Sequence, residues 1–268
     1  MKRTSRLLLF AIAILLTLAC LGESETAKPT EATSATDIPE PSETTAPTAT
    51  PYAPNLGITV AYIFDGNIWI WDETAPARQI TSDGDAWRVA LSDDGKMIVY
   101  QRNRYTPYEP VPAQELGTSL WAVNSDGSSQ RELTSINSLV GTAVPLRGGE
   151  TTLHFDQIEF QPGTHWLYFN TYWSGNQGII AANDLHRIDV DTPALQTLLS
   201  SCGGKFNFSP NAELLTLSSI TYIKIIHADG SGLITALSYP IIDNLTDYKP
   251  KTVWMKDSMG FYTVLPSD

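Results

Sequence analysis

Residues 91–100, LSDDGKMIVY, set two carboxylates and a glycine between one apolar residue and an apolar run. Asp and Gly are also what a tight hairpin selects, because Asp bonds its own backbone two residues on and Gly accepts positive φ. Copies of the stretch decide between a site and a turn. Aligned on the turn, Ala90–Tyr100 (ALSDDGKMIVY) matches 159–169 (EFQPGTHWLYF), 207–217 (NFSPNAELLTL) and 253–263 (VWMKDSMGFYT). Each copy has a large apolar anchor (Leu91, Phe160, Phe208, Trp254), a polar turn and an apolar strand. The third turn position holds Asp94, Gly163, Asn211 and Asp257, which share turn propensity but not charge. The carboxylates of Asp93 and Asp94 are therefore expected to be incidental to the turn they make.

A second unit alternates with the first: NIWIWDETAPARQIT from Asn67, SLWAVNSDGSSQRELT from Ser119, DLHRIDVDTPALQTLL from Asp184 and YIKIIHADGSGLITAL from Tyr222. Short β-branched and aromatic runs, turn residues between them and no sustained 3.6-residue period predict an all-β domain from Gly57 onward. One unit of each kind makes four antiparallel strands, a to d. Repeated four-stranded sheets are the blades of a β-propeller. Ser-Pro-Asp-Gly-like turns alternating with Leu-Trp strands, Asp-Gly turns and terminal Leu-Thr resemble the TolB-like, WD-like bacterial propeller repeats. The resemblance covers Gly57 to the C-terminus and implies the propeller fold. TolB's own N-terminal α/β domain has no counterpart here, so its protein partner is not carried over. About four repeats are visible, running b, c, d, three full blades, then a and b. That count fits either a small four-bladed ring with a spare strand b or a partial or truncated propeller, and the partial or truncated propeller is the expectation.

The N-terminus reads as an address. Lys2, Arg3 and Arg6 precede an apolar run from Leu7 to Ala19, too short for the roughly 20 residues of a membrane-spanning helix. The run closes on Leu18, Ala19 and Cys20, which resembles a bacterial lipobox. The resemblance implies cleavage after residue 19 and diacylglycerol on Cys20, hence an extracytoplasmic domain held on a membrane. Residues 20–56 are rich in Thr, Pro and Glu and cannot bury enough apolar surface to fold, so they form a disordered tether. Its reach is about 40–80 Å. The formal net charge is −12, and without the three leading basic residues 14 basic face 29 acidic ones. Such a chain repels phosphate backbones, which excludes nucleic acid as a partner.

Chemistry is sparsely marked. The acidic turns could in principle hold calcium, but turn formation accounts for them. His154, His165, His186 and His227 lack ligand spacing, and His186 takes the strand position of Trp121, as a packing residue would. No Gly-x-Ser-x-Gly elbow is present, and no motif calls for a cofactor or a metal. The irregularities say more. Anchor spacings of 69, 48 and 46 put extra residues into loops 102–117, 135–152 and 171–183. In an antiparallel blade the b to c and d to a connections leave on one face, so all three insertions gather there. They bring Arg102, Arg104, Tyr105, Tyr108, Arg147, Tyr172 and Trp173 to that face, residue types that anchor recognition. The expectation is a non-catalytic module binding an extracellular protein, peptide or glycan. The alternatives are a glycan-active enzyme with carboxylates near the axis and a structural or sensor ectodomain.

Overall fold

The structure is a computed structural model and describes residues 57–103, 118–139, 151–175, 178–181, 184–240 and 249–265. The signal, Cys20 and the tether lie outside the described residues. Among the described residues no helix is long and apolar enough to cross a membrane.

Five antiparallel sheets follow one another along the chain. The first holds β1 (Thr59–Phe64), β2 (Asn67–Asp72) and β3 (Ala75–Gln79). The second, complete blade holds β4 (Ala86–Leu91), β5 (Met97–Asn103), β6 (Thr118–Asn124) and β7 (Arg131–Ser135), and a one-turn helix α1 (Ile136–Leu139) follows it. The third holds β8 (Thr151–Phe160), β9 (Trp166–Gly175), β10 (Gly178–Ala181), β11 (Leu185–Asp189) and β12 (Ala194–Leu199). The fourth holds β13 (Lys205–Phe208), β14 (Leu214–Ser218), β15 (Tyr222–His227) and β16 (Ile234–Ser238). The last pairs β17 (Thr252–Trp254) with β18 (Phe261–Thr263). The order is b, c, d, then three blades, then a and b, as the repeats predict. The architecture is a β-propeller of four-stranded blades.

Blades pack face on face through three apolar layers. Ile68, Ile70, Ile98, Tyr100 and Val123 join the first sheet to the second. Val99, Leu120, Phe155, Leu167 and Phe169 join the second to the third. Tyr168, Phe206, Leu215, Leu217 and Ile226 join the third to the fourth. Ile98 and Tyr100 thus point to one neighbour while Met97 and Val99 point to the other. A strand covered on both faces has no polar side to show, which is why MIVY and WLYF read as continuous apolar runs.

The turns confirm the alignment atom by atom. In all four a to b turns the fourth residue donates its N–H to the first carbonyl: Gly95 to Ser92, Thr164 to Gln161, Ala212 to Ser209 and Ser258 to Met255. Asp94, Asn211 and Asp257 each accept the backbone N–H two residues on. The c to d turns use Asp the same way, with Asp72, Asp126 and Asp229 accepting both N–H and Oγ of the Thr or Ser two residues later.

Two expectations need correction. Residues 171–183 are largely sheet rather than loop: β9 runs on to Gly175, pairs with residues 151–155 of β8 on one side and folds back as β10 on the other. The charge of the opening turn is also not incidental. Asp93 Oδ2 accepts the Gly163 N–H of the next blade at 2.7 Å, and Asp94 Oδ1 lies 3.3 Å from His165 Nε2, whose Nδ1 meets Asp191 at 2.9 Å. These carboxylates staple the second blade to the third.

Candidate functional site

The first strands of the blades stand beside one another, β4 against β8 and β13 against β17, with β1 of the incomplete first sheet against β4. From the third blade onward they are stitched together by polar side chains. Gln157 gives Nε2–H to Phe206 O at 2.7 Å and takes the Phe206 N–H on Oε1 at 3.1 Å. Asn170 donates to Gly204 O, Asn207 to Thr252 O and Trp254 Nε1 to Asn207 O. Asp156 pairs with Lys205 at 2.5 Å. Among the described residues no such side-chain bond links β1, β4 and β8 to one another, and their sheets are joined instead near their turns by Asn67, Asp93 and Asp94. An open cleft of about 550 Å³ lies between the three strands, lined by Ala61 to Ile63, Trp87 to Val89 and Asp156 to Ile158.

Two β-bulges shape this cleft. Pairing of β4 with β5 slips between Ala86 and Arg88, which leaves Trp87 as the extra residue. Pairing of β8 with β9 slips between Phe155 and Ile158, so that Asp156 and Gln157 together face Asn170. The Gln157 N–H is kept satisfied by Asn170 Oδ1 at 2.8 Å. A bulge re-aims side chains that a regular ladder would bury. Trp87 accordingly stands 63% exposed at the second position of β4. Arg88 beside it and Tyr62 on β1 are half-buried.

The electrostatics of the cleft follow from these neighbours. Lys205 neutralises Asp156. Burial raises the pKa of Glu159 above the usual carboxylate range, and a hydrogen bond from Gln157 offsets only part of that. Burial, reinforced by the Arg88 charge, holds His154 below the usual imidazole range. His154 stacks on Tyr172, with ring centroids 5.0 Å apart. Tyr172, a residue expected at the binding face, pairs with His154 on the stretch of β8 before the bulge, and neither residue lines the cleft.

The other expected residues fare differently. Arg102 lies on the expected face, since the Asn103 N–H bonds Asp85 O and ties the end of strand b to the d to a loop. Its guanidinium is committed inside the fold, however: it is 8% exposed, chelates Asp85 through Nε and Nη2, reaches Asp83 through Nη1 at 3.2 Å and covers the Trp121 ring at 4.7 Å. The backbone of Trp173 lies in β9 between Leu153 and Ile180. Arg104, Tyr105, Tyr108 and Arg147 lie outside the described residues. Sequence reading missed Trp87, Arg88 and Tyr62. No signal in the sequence marks them, because the slip that exposes Trp87 is set by the pairing of β4 with β5.

The third blade holds the buried polar cluster of this face. Asp184, 4% exposed, accepts from Thr171 N at 2.9 Å, Thr171 Oγ1 at 2.6 Å and His186 Nε2 at 2.9 Å. His186 Nδ1 meets Thr197 Oγ1 at 3.0 Å, and the ring stacks on Phe169. Burial alone would raise the Asp184 pKa, but the His186 and Thr171 hydrogen bonds outweigh it and hold the carboxylate below its usual range. With His186 fully buried and Asp184 nearly so, the cluster braces the blade.

No family model matches the chain, and no curated protein matches it. Among solved structures it is similar to an oligogalacturonate lyase in complex with manganese, at 12% identity and a TM-score of 0.51 over 75% of this chain and 54% of that one. It is also similar to a protein described as a TolB from Agrobacterium tumefaciens (16% identity, TM-score 0.40, 64% and 56% covered). A third is the β-propeller domain of the trilobed protease from Pyrococcus furiosus (10%, 0.43, 65% and 49%). The chain spans about half the length of each of these proteins. At such identities the likeness to the lyase speaks for the propeller fold alone, and the two weaker superpositions add no argument.

Proposed function

We propose that this chain is an extracytoplasmic, lipid-anchored binding module that takes an extracellular protein, peptide or glycan into the cleft between its first three sheets. The carrying observation is Trp87, a large aromatic held in the open by a β-bulge on a rigid strand. Exposing an indole forgoes about 1.5–3 kcal/mol of burial, and a bulge at such a place is a feature of design rather than a defect. Binding is favoured over catalysis because the one carboxylate lining the cleft among the described residues, Asp156, is already paired with Lys205. Among the described residues no second carboxylate joins Asp156 in the lining; Glu159, on the same strand, stands outside it and accepts a hydrogen bond from Gln157. Glycan and peptide arrays probed with the wild type and with Trp87→Ala test this reading. Signals lost in the variant support it, and arrays on which both proteins bind alike overturn it.

The anchor rests on the Leu18-Ala19-Cys20 sequence and the charged, apolar segment before it. Radiolabelled palmitate should enter the wild type and not Cys20→Ser. An intact mass showing unacylated Cys20 oxidised to a disulfide would count against it.

A further inference from the structure

The cleft also states the chemistry of what it takes, an inference that rests on the binding role proposed for it. Four described arginines are committed within the fold. Arg78 bonds Ser125 O, Arg102 bonds Asp85, Arg131 bonds Val190 O, and Arg187 bonds Ala228 O while covering the Trp166 ring. Arg88 makes no hydrogen bond or ion pair among the described residues, yet it is half-buried at the cleft beside the exposed indole. With Asp156 offset by Lys205, the unbalanced charge lining the cleft is positive, on a chain whose net charge is −12. Leaving a guanidinium partly desolvated without a partner is unfavourable and is relieved by an incoming carboxylate, whose geometry it matches in a bidentate fork. The adjacent indole offers a flat face to a ring.

We propose that the cleft binds a carboxylate carried on a ring, with Arg88 receiving the carboxylate and Trp87 the face of the ring. A sugar acid and an aromatic acid both have this chemistry. The test uses the wild-type protein and three probes, namely glucuronate oligomers, benzoate and neutral glucose oligomers, with the indole N–H resonance of Trp87 as readout, assigned by Trp87→Phe. One or both acids should shift that resonance and the neutral oligomers should not; which acid does so identifies the source. Arg88→Gln should weaken the acid about ten- to a hundredfold, as expected for loss of a charge-assisted hydrogen bond, and Arg88→Lys should restore part of it. Unchanged unfolding midpoints confirm that both variants are folded. Equal response to neutral oligomers, or indifference to Arg88→Gln, overturns the carboxylate proposal while leaving the cleft as a binding site. A Trp87 resonance silent to all three probes also overturns it, whereas the cleft itself falls only if the arrays show no Trp87-dependent binding.

Discussion

Replacing Asp184 by alanine should cost more stability than any exposed acidic substitution. The carboxylate is buried, and its removal strands three donors: the Thr171 N–H, the Thr171 hydroxyl and His186 Nε2. Breaking a buried charged network from one side costs about 3–5 kcal/mol. For a domain of this size the urea m-value is about 2–3 kcal/mol/M, so the midpoint at pH 7 should fall by about 1–2 M with the slope unchanged. Asp184→Asn, which keeps one carbonyl acceptor, should lose about half as much. The pH dependence adds a second constraint. Because the folded pKa lies below the unfolded value of about 3.9, the stabilisation is complete above that value and lost as pH falls through the folded pKa. The gap between wild type and Asp184→Ala should therefore be full at pH 7 and narrow in strong acid. A penalty under about 1 kcal/mol at pH 7 would refute the assignment of the blade's polar brace to this carboxylate.

Four further outcomes follow from the geometry. His165 has its pKa raised: burial opposes the charged ring, but hydrogen bonds to Asp191 and Asp94 prevail. The stabilisation from His165 is thus present below the unfolded pKa of about 6.5 and lost as pH rises through the folded one. His165→Gln should be less stable than wild type by about 1 kcal/mol at pH 5.5 and equal to it by pH 9, measured by urea unfolding. Ala212 adopts φ 60° at a turn position where Gly95 has φ 70°. Ala212→Gly should raise stability by about 0.5–1 kcal/mol, since the strain relieved exceeds the added chain entropy. Arg102→Met should destabilise by about 1.5–3 kcal/mol by leaving half-buried Asp85 without its charge-assisted hydrogen bonds, yet leave ligand affinity within about twofold at temperatures where it is folded. Trp87→Ala should do the reverse, changing the unfolding free energy by less than about 0.5 kcal/mol while losing array signals.

Much of this architecture is legible in the amino acids because turns are local. Asp94, Asn211 and Asp257 bond their own backbone two residues on, so their spacing announces the hairpins without reference to the rest of the chain. The b strands are equally plain, since sheets on both sides forbid polar residues in MIVY and WLYF. What escapes is anything set by register between strands. The slip that turns Trp87 outward depends on where β5 pairs with β4, and nothing in Ala86, Trp87 and Arg88 distinguishes a bulge from regular strand. Arg102 looks like a surface cation because its counter-ions, Asp83 and Asp85, belong to the preceding connection. The same ambiguity makes residues 171–183 read as loop, for Gly175 and Gly178 pair within the sheet extension instead of ending it.

The self-closing turns carry one more consequence. Each a to b and c to d hairpin is completed by side chains from within its own few residues, whereas the contacts between blades are chiefly apolar faces with a handful of cross-blade hydrogen bonds and ion pairs. A blade is therefore a portable unit whose folding instructions travel with it. Duplicating one in the gene adds a sheet that already knows its own hairpins and needs only two greasy faces to join the stack. Divergence is then free to act on the stitching between first strands, tying them at some blade boundaries and leaving a cleft at others.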